Sequence, residues 1–259
     1  MTNLIGAMAR QAPPWRHLLI RRGRCDEAPG ALRLIVEDAT ARRLAYSNAQ
    51  IDDYQPGPGL RFIRRPPLRL RVQARFSHPE GGLRGTAGFG FWNYPIARPL
   101  RPPRAIWFFY ASPPNDMPLA LGVPGRGWKA AVIDATRLRA LALLPLAPAL
   151  APLFNLPPLY RGLYPPVQRA LGVAEALARA PMEEWHEYVI EWGLRTSRFL
   201  VDGRVVLSDA PSPQGPLCFV TWVDNQYLIA TPRGRLRWGL LDVPGAQWLE
   251  LAGVWLETL

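Results

Sequence analysis

Lysine is nearly missing from this chain: of its 31 basic residues, all but Lys129 are arginine. Cysteine is almost as scarce. Cys25 and Cys218 lie far apart in sequence, which excludes a disulfide framework and any cysteine-based metal spacing. The three histidines stand in no His/Cys/Asp pattern, and neither a phosphate-cradling glycine loop nor a Gly-x-Ser-x-Gly elbow is present. No metal and no cofactor are therefore expected. The N-terminal stretch from Met1 to Gly23 lacks the continuous apolar core of a secretory signal, so a cytoplasmic location is expected. From Ala140 through Tyr160 no residue is charged, a length that could cross a bilayer. Pro145, Pro148, Pro152, Pro157 and Pro158 interrupt it, however, and each removes a helix hydrogen bond. A transmembrane helix is not expected there.

With 49% hydrophobic and 20% charged residues the chain reads as globular rather than disordered. Its 29 prolines and 22 glycines are spread throughout, as many short strands joined by turns require. The net charge of +11 comes from dispersed arginines rather than one basic patch, so a nucleic-acid partner is not expected.

The pattern along the chain is mostly that of β-strands. Residues 15–24 and 31–36 read as first strands, with Ala28-Pro29-Gly30 as the turn between them. Residues 46–54 form an unusually polar strand, closed by Gln55-Pro56-Gly57-Pro58-Gly59. Leu68 to Phe76 alternates apolar and polar residues without a fault, the period-two signature of one dry and one wet face. The wet face carries Arg69, Arg71 and Arg75, read as a solvated outer surface. Gly88 and Gly90 in the next strand mark a bulge or the close approach of another group. Strands follow at 105–110 and 128–134. Residues 135–182 then break the pattern with an apolar insertion or lid, including an amphipathic helix from Val167 to Ala180. Strands resume at Trp185, and the alternating run Gln247 to Leu256 closes the fold.

The segment 185–207, WHEYVIEWGLRTSRFLVDGRVVL, carries most information. An aromatic and β-branched strand leads to Asp202-Gly203 between apolar runs, the strongest short hairpin signal. This segment resembles a recurrent stretch of the concanavalin A-like lectin/glucanase jelly rolls, and above all of glycoside hydrolase family 16. GTAGFGFWNYP, residues 85–95, is similar to that family's "Gly-x-Trp-Pro-Ala-Phe-Trp" strand, and the closing strand to its last. The resemblance covers about two thirds of the chain, from Leu68 onward without the insertion. It implies an all-β antiparallel sandwich, a single jelly-roll domain over residues 1–259.

The resemblance also implies a Glu-x-Asp-x-x-Glu strand whose two glutamates act as nucleophile and acid/base about 5 Å apart. The corresponding strand here, PRAIWFFYASP (103–113), has no acid in any register. Ala105, Trp107 and either Phe109 or Tyr110 take the acidic positions. The family's retaining mechanism is thus not expected, and a concave groove lined by aromatics stands in its place. Trp92, Trp107 and Tyr110 are expected as a stacking platform, with Asn93 beside them. Two polar clusters join them. Asn48, Gln50 and Asp52 alternate onto one face beside Asp53, and Asp224, Asn225, Gln226 and Tyr227 end an apolar strand.

Three functions are compatible with these residues. One is a non-hydrolytic jelly roll that binds a carbohydrate or glycoconjugate in the aromatic groove. Another is an enzyme of a different class, an acid/base isomerase, cyclase or hydrolase on a more apolar substrate, with Asp52, Asp53 or Asp224 as catalytic groups. The third is a membrane- or protein-docking module that uses the apolar residues 138–165. Oligomeric state is not legible.

Overall fold

The computed structural model describes residues 1–12, 14–55, 57, 60–94 and 101–259. Prolines 56 and 58 and Gly59 of the expected turn, and Pro95 of the 85–95 motif, lie outside the described residues. After a short N-terminal helix, α1 (Ile5–Ala9), the chain enters β1 (Arg16–Ile20), β2 (Gly23–Ala28), β3 (Ala31–Ala39), β4 (Asn48–Asp52), β5 (Leu68–Phe76), β6 (Thr86–Trp92), β7 (Arg104–Ala111) and β8 (Gly127–Asp134). Helices α2 (Leu138–Leu143), α3 (Ala147–Leu153) and α4 (Pro157–Ala170) follow. The remaining strands are β9 (Ala174–Leu177), β10 (His186–Trp192), β11 (Thr196–Val201), β12 (Arg204–Pro211), β13 (Cys218–Asp224), β14 (Gln226–Ala230), β15 (Leu236–Leu240) and β16 (Val243–Glu257).

Two seven-stranded antiparallel sheets face each other, with strand order β1-β4-β13-β6-β7-β8-β9 in the front sheet and β12-β11-β10-β5-β16-β3-β2 in the back sheet. This is the sandwich expected from the sequence, a concanavalin A-like jelly roll. Strands β14 and β15 form a separate hairpin at the end of β13.

Period-two alternation decides what lies between the sheets. Leu70, Val72, Ala74 and Phe76 of β5 point inward and are buried. Phe89, Phe108 and Trp128 of the front sheet meet Phe76, Tyr188 and Phe199 of the back sheet, with ring centroids 5.1 Å apart for Phe76–Trp128 and for Phe108–Tyr188. Edge and tilted contacts of this kind add about 0.5–1.5 kcal/mol per pair beyond the area they bury. On the outer back face the arginines of β5 form ion pairs with Glu191, Glu187 and Glu250, so that face is wet as expected.

Several boundaries differ from the sequence reading. The run 15–24 is two strands, broken by a turn at Arg21-Arg22 where Arg21 has φ 52°. β1 joins the front sheet and β2 the back sheet. The helix expected over 167–180 ends at Ala170, because Gly172 (φ 57°) reverses the chain in the left-handed region. Residues 174–177 then pair with β8 and complete the front sheet, so only about 138–170 stands outside the sandwich. Pro148, Pro157 and Pro158 sit in the first turns of α3 and α4, where a missing N–H costs little. Cys25 on β2 and Cys218 on β13 are both free thiols, in different sheets.

At the β10–β11–β12 corner, Asp202 and Gly203 have φ 49° and 74°, the two left-handed residues of the expected type I′ turn. Gly203→Val is expected to lower unfolding free energy by about 1–2 kcal/mol, since a branched side chain resists that region. Urea denaturation of the two proteins checks this, and equal midpoints would contradict it.

Candidate functional site

The outer face of the front sheet is set by the strand register. β13 pairs with β6 so that Trp222 is opposite Gly88 and Val220 opposite Gly90. β6 pairs with β7 so that Gly88 is opposite Phe109 and Gly90 opposite Trp107. Gly88 therefore lies between Trp222 and Phe109, and Gly90 between Val220 and Trp107. A Cβ on Gly88 would come within 3.1 Å of the Trp222 ring, and one on Gly90 within 2.6 Å of the Trp107 Cβ. This is the close approach expected from the glycines. Rings from β7 and β13 meet across bare backbone, with Trp107 5.6 Å from Trp222 and stacked on Phe109 at 5.3 Å. Trp92 extends the strip, 5.4 Å from Trp107, and Tyr94 and Tyr54 continue it. Trp92, Trp107 and Phe109 are partly exposed, while Trp222, beside them on the same face, is buried.

Tyr110 is not on this face. Period two places Ala105, Trp107 and Phe109 outward and Ile106, Phe108 and Tyr110 inward. Tyr110 is fully buried in the core, where its hydroxyl donates to the Leu83 carbonyl at 2.9 Å. Phe109 takes the place assigned to it. Asn93 is also a structural residue. Its amide bridges the Pro102 carbonyl (2.9 Å) and the Arg104 N–H (2.9 Å) and so ties the ends of the segment between β6 and β7.

The strip is bounded on one side by Lys129 and Glu175. The chain's only lysine is buried on the same face, paired with the Glu175 carboxylate at 2.5 Å. The other Glu175 oxygen accepts from the Leu119 and Ala120 N–H groups, and Tyr164 of α4 donates to the Leu119 carbonyl at 2.7 Å. Loop 117–124 and helix α4 are thereby held over this edge.

On the other side lie the polar residues of β4. Asn48, Gln50 and Asp52 share the outer face as expected, opposite Asp224, Trp222 and Val220. Asp52 is fully buried and engaged by Arg16, by Gln50 Nε2 (2.7 Å) and by the Tyr54 N–H (3.2 Å). Arg16 also lies over the Tyr54 ring, 5.0 Å from its centroid. Asn48 donates to the Leu18 carbonyl, and its Oδ1 is buried with no partner among the described residues. Asp53 turns away to Arg64 (2.7 Å) and the Phe219 N–H (2.8 Å), where burial lifts its carboxyl above the usual range even with Arg64 beside it.

Asp224 is a different kind of carboxyl. It is 1% exposed and, among the described residues, has no cation to pair with. Thr86 donates to it through N–H (3.1 Å) and Oγ1 (2.9 Å), Gln226 through N–H (3.1 Å) and Nε2 (2.6 Å), and Tyr46 through its hydroxyl (3.3 Å). Trp222 Nε1 donates to the same Thr86 hydroxyl at 3.0 Å, which links the aromatic strip to the carboxyl. Loss of hydration outweighs these donors and pushes the pKa up to about 7. Asn225 is structural, bonded to Ser47 N–H and to the Thr40 and Leu241 carbonyls. Tyr227 is buried against Gly239.

Asp52 and Asp224 are four residues out of step on adjacent strands, or about 13 Å apart at strand spacing. Two-carboxylate glycoside chemistry works at about 5 Å or about 6.5–9.5 Å, so these acids do not form such a pair. Phe109 was legible by counting two from Trp107. Trp222 was not, because its place beside Trp107 depends on pairing between strands more than a hundred residues apart.

The two packed sheets make a jelly roll of the concanavalin A-like fold. No protein-family profile and no curated protein sequence matches the chain. Among solved structures it is similar to a GlcNAcα1-4Gal-releasing endo-β-galactosidase from Clostridium perfringens, at TM-score 0.53 and 10% identity over 93% of this chain. The chain spans 57% of the length of that structure. It is also similar to a β-glucanase from Bacillus licheniformis (TM-score 0.49, 10% identity, 95% of this chain and 92% of that one). A laminarinase from Flavobacterium sp. UMI-01 gives TM-score 0.49 and 11% identity over 93% of this chain and 91% of that one. At such identity the likeness is one of fold.

The Asp224 carboxyl gives a pH dependence with a definite sign. Its folded pKa lies above the unfolded value, so the folded state holds the extra proton and gains stability at low pH. That contribution is complete near pH 4 and fades as pH rises towards 7, by a few kcal/mol at most. Asp224→Asn is expected to remove this slope. Urea titrations of both proteins at several pH values across that window test it, and identical slopes would contradict it.

Proposed function

We propose that the outer face of the front sheet binds a saccharide, free or as part of a glycoconjugate, and does not hydrolyse it by two-carboxylate chemistry. The observation that carries this reading is the continuous strip Trp92–Trp107–Phe109, partly open to solvent and flanked by Trp222. Flat apolar rings held in fixed positions offer contact area at little entropic cost, and the apolar faces of sugar rings suit them. Arg16, with its side chain 42% exposed, forms a polar rim beside the strip that is suited to hydroxyls, next to the buried Gln50 on the same face. Asp52 positions both by accepting from each.

The ligand class agrees with the name of the endo-β-galactosidase, which shares this fold. Against hydrolysis stands the outer face of β7, which presents Ala105, Trp107, Phe109 and Ala111 and no acid. Asp52, Asp53 and Asp224 are each occupied by internal donors, and no two of them flank the strip.

Calorimetric titration with β-glucan and galactan oligosaccharides tests the reading. Trp107→Ala is expected to weaken binding about tenfold, or about 1.4 kcal/mol, while Trp185→Ala on the far side of the sandwich leaves it unchanged. Equal effects of the two substitutions, or no binding of any saccharide, would overturn it.

A further inference from the structure

The segment between β8 and β9 exposes leucine on a scale that the rest of the surface does not. Leu138, Leu144, Leu146 and Leu156 are each between 52% and 84% exposed. Polyleucine surfaces in water are unfavourable, and contiguous apolar patches on a folded protein mark a surface that something covers. The hairpin β14–β15 adjoins it. The Arg233 guanidinium lies 5.2 Å from the Tyr160 ring centroid of α4, and a Cβ on Gly234 would touch Ala151 of α3 at 3.3 Å. Near that contact Leu236 is 80% and Trp238 54% exposed.

The charge on this surface is predominantly positive, although Asp116 beside the hairpin pairs with Arg235 at 3.7 Å. From Ala135 to Ala174 there is no Asp or Glu, and from Gln226 to Leu240 there is none either. Arg139, Arg161, Arg233 and Arg237 are exposed within these two stretches, and among the described residues none of the four is in an ion pair. The back sheet uses its arginines differently, against glutamates at 2.7–2.8 Å. Exposed leucines, one exposed tryptophan and these four arginines, with a single nearby acid already held by Arg235 among the described residues, fit the boundary of an anionic bilayer. There the apolar chains enter below the headgroups and the guanidinium groups meet phosphates. A protein partner would need its own acidic and apolar relief to match, and a second copy of this chain would bring arginine against arginine. No helix among the described residues is long and apolar enough to cross a membrane, so contact of this kind stays at the surface.

We propose that helices α2 to α4 and the β14–β15 hairpin form a peripheral docking surface for anionic lipid membranes. The proposal is independent of saccharide binding on the front sheet, since it uses none of the strip residues.

Vesicle co-sedimentation of the full chain tests it, with phosphatidylcholine alone and with about 30% phosphatidylglycerol added. The expected result is binding to the anionic vesicles at least about tenfold tighter than to the neutral ones, and weakened by about 0.5 M NaCl. The double substitution Leu144→Glu/Leu146→Glu is expected to lose most of that binding. Arg233→Glu/Arg237→Glu, on the other element, is expected to do the same. All four residues are exposed, so circular dichroism and saccharide titration should be unchanged in both variants. Failure of the parent chain to bind anionic vesicles would overturn the proposal. So would full binding by both variants, or a dimer in sedimentation equilibrium that the Leu144/Leu146 variant dissociates.

Discussion

The aromatic cluster between the sheets is the contact on which the remainder of the molecule depends. Phe89, Phe108 and Trp128 project from three adjacent strands of one sheet into Phe76, Tyr188 and Phe199 of the other. A strand has only two faces. Once every second residue of β6, β7 and β8 is committed to this cluster, the intervening ones must face out. On most sandwiches those positions are polar. Here β7 places Trp107 and Phe109 there, and β6 supplies glycines to let the rings lie flat across it. An aromatic face outside a complete core is surplus to folding, which is why it is read as a site.

The polar residues around that face are largely occupied in keeping it in place. Asp52 holds Arg16 and Gln50, Asp53 holds the segment around Arg64, and Asp224 gathers Thr86, Gln226 and Tyr46. Lys129 and Glu175 neutralise each other beneath a loop, as buried charges must. The carboxylates thus act as acceptors in local networks spread along the edges of the strip. Two-carboxylate glycoside chemistry needs both groups on one bond, and Asp52 and Asp224 are too far apart for that.

Much of this was legible in the sequence where a local rule sufficed. Faultless alternation located β5 to the residue, and Asp202-Gly203 located its turn, because neither depends on distant contacts. The turn at Arg21-Arg22 was not legible, since neither residue type favours a left-handed conformation, and β2 is drawn away to pair with β3. Residues 174–177 have helix-forming composition and became a strand because β8 offered an open edge. At the site, the type of residue was clearer than its direction. Tyr110 and Phe109 are neighbours with opposite fates, and only the parity of β7 separates them. The carboxylates looked like a candidate pair because sequence spacing does not give the offset between β4 and β13.

A crystal structure of the protein with a bound oligosaccharide tests the central claim most directly. The account predicts at least one sugar ring lying flat on Trp107 or Trp92, with hydroxyls towards Arg16 or Gln50. A saccharide bound elsewhere, with the strip Trp92–Trp107–Phe109 empty, would contradict it.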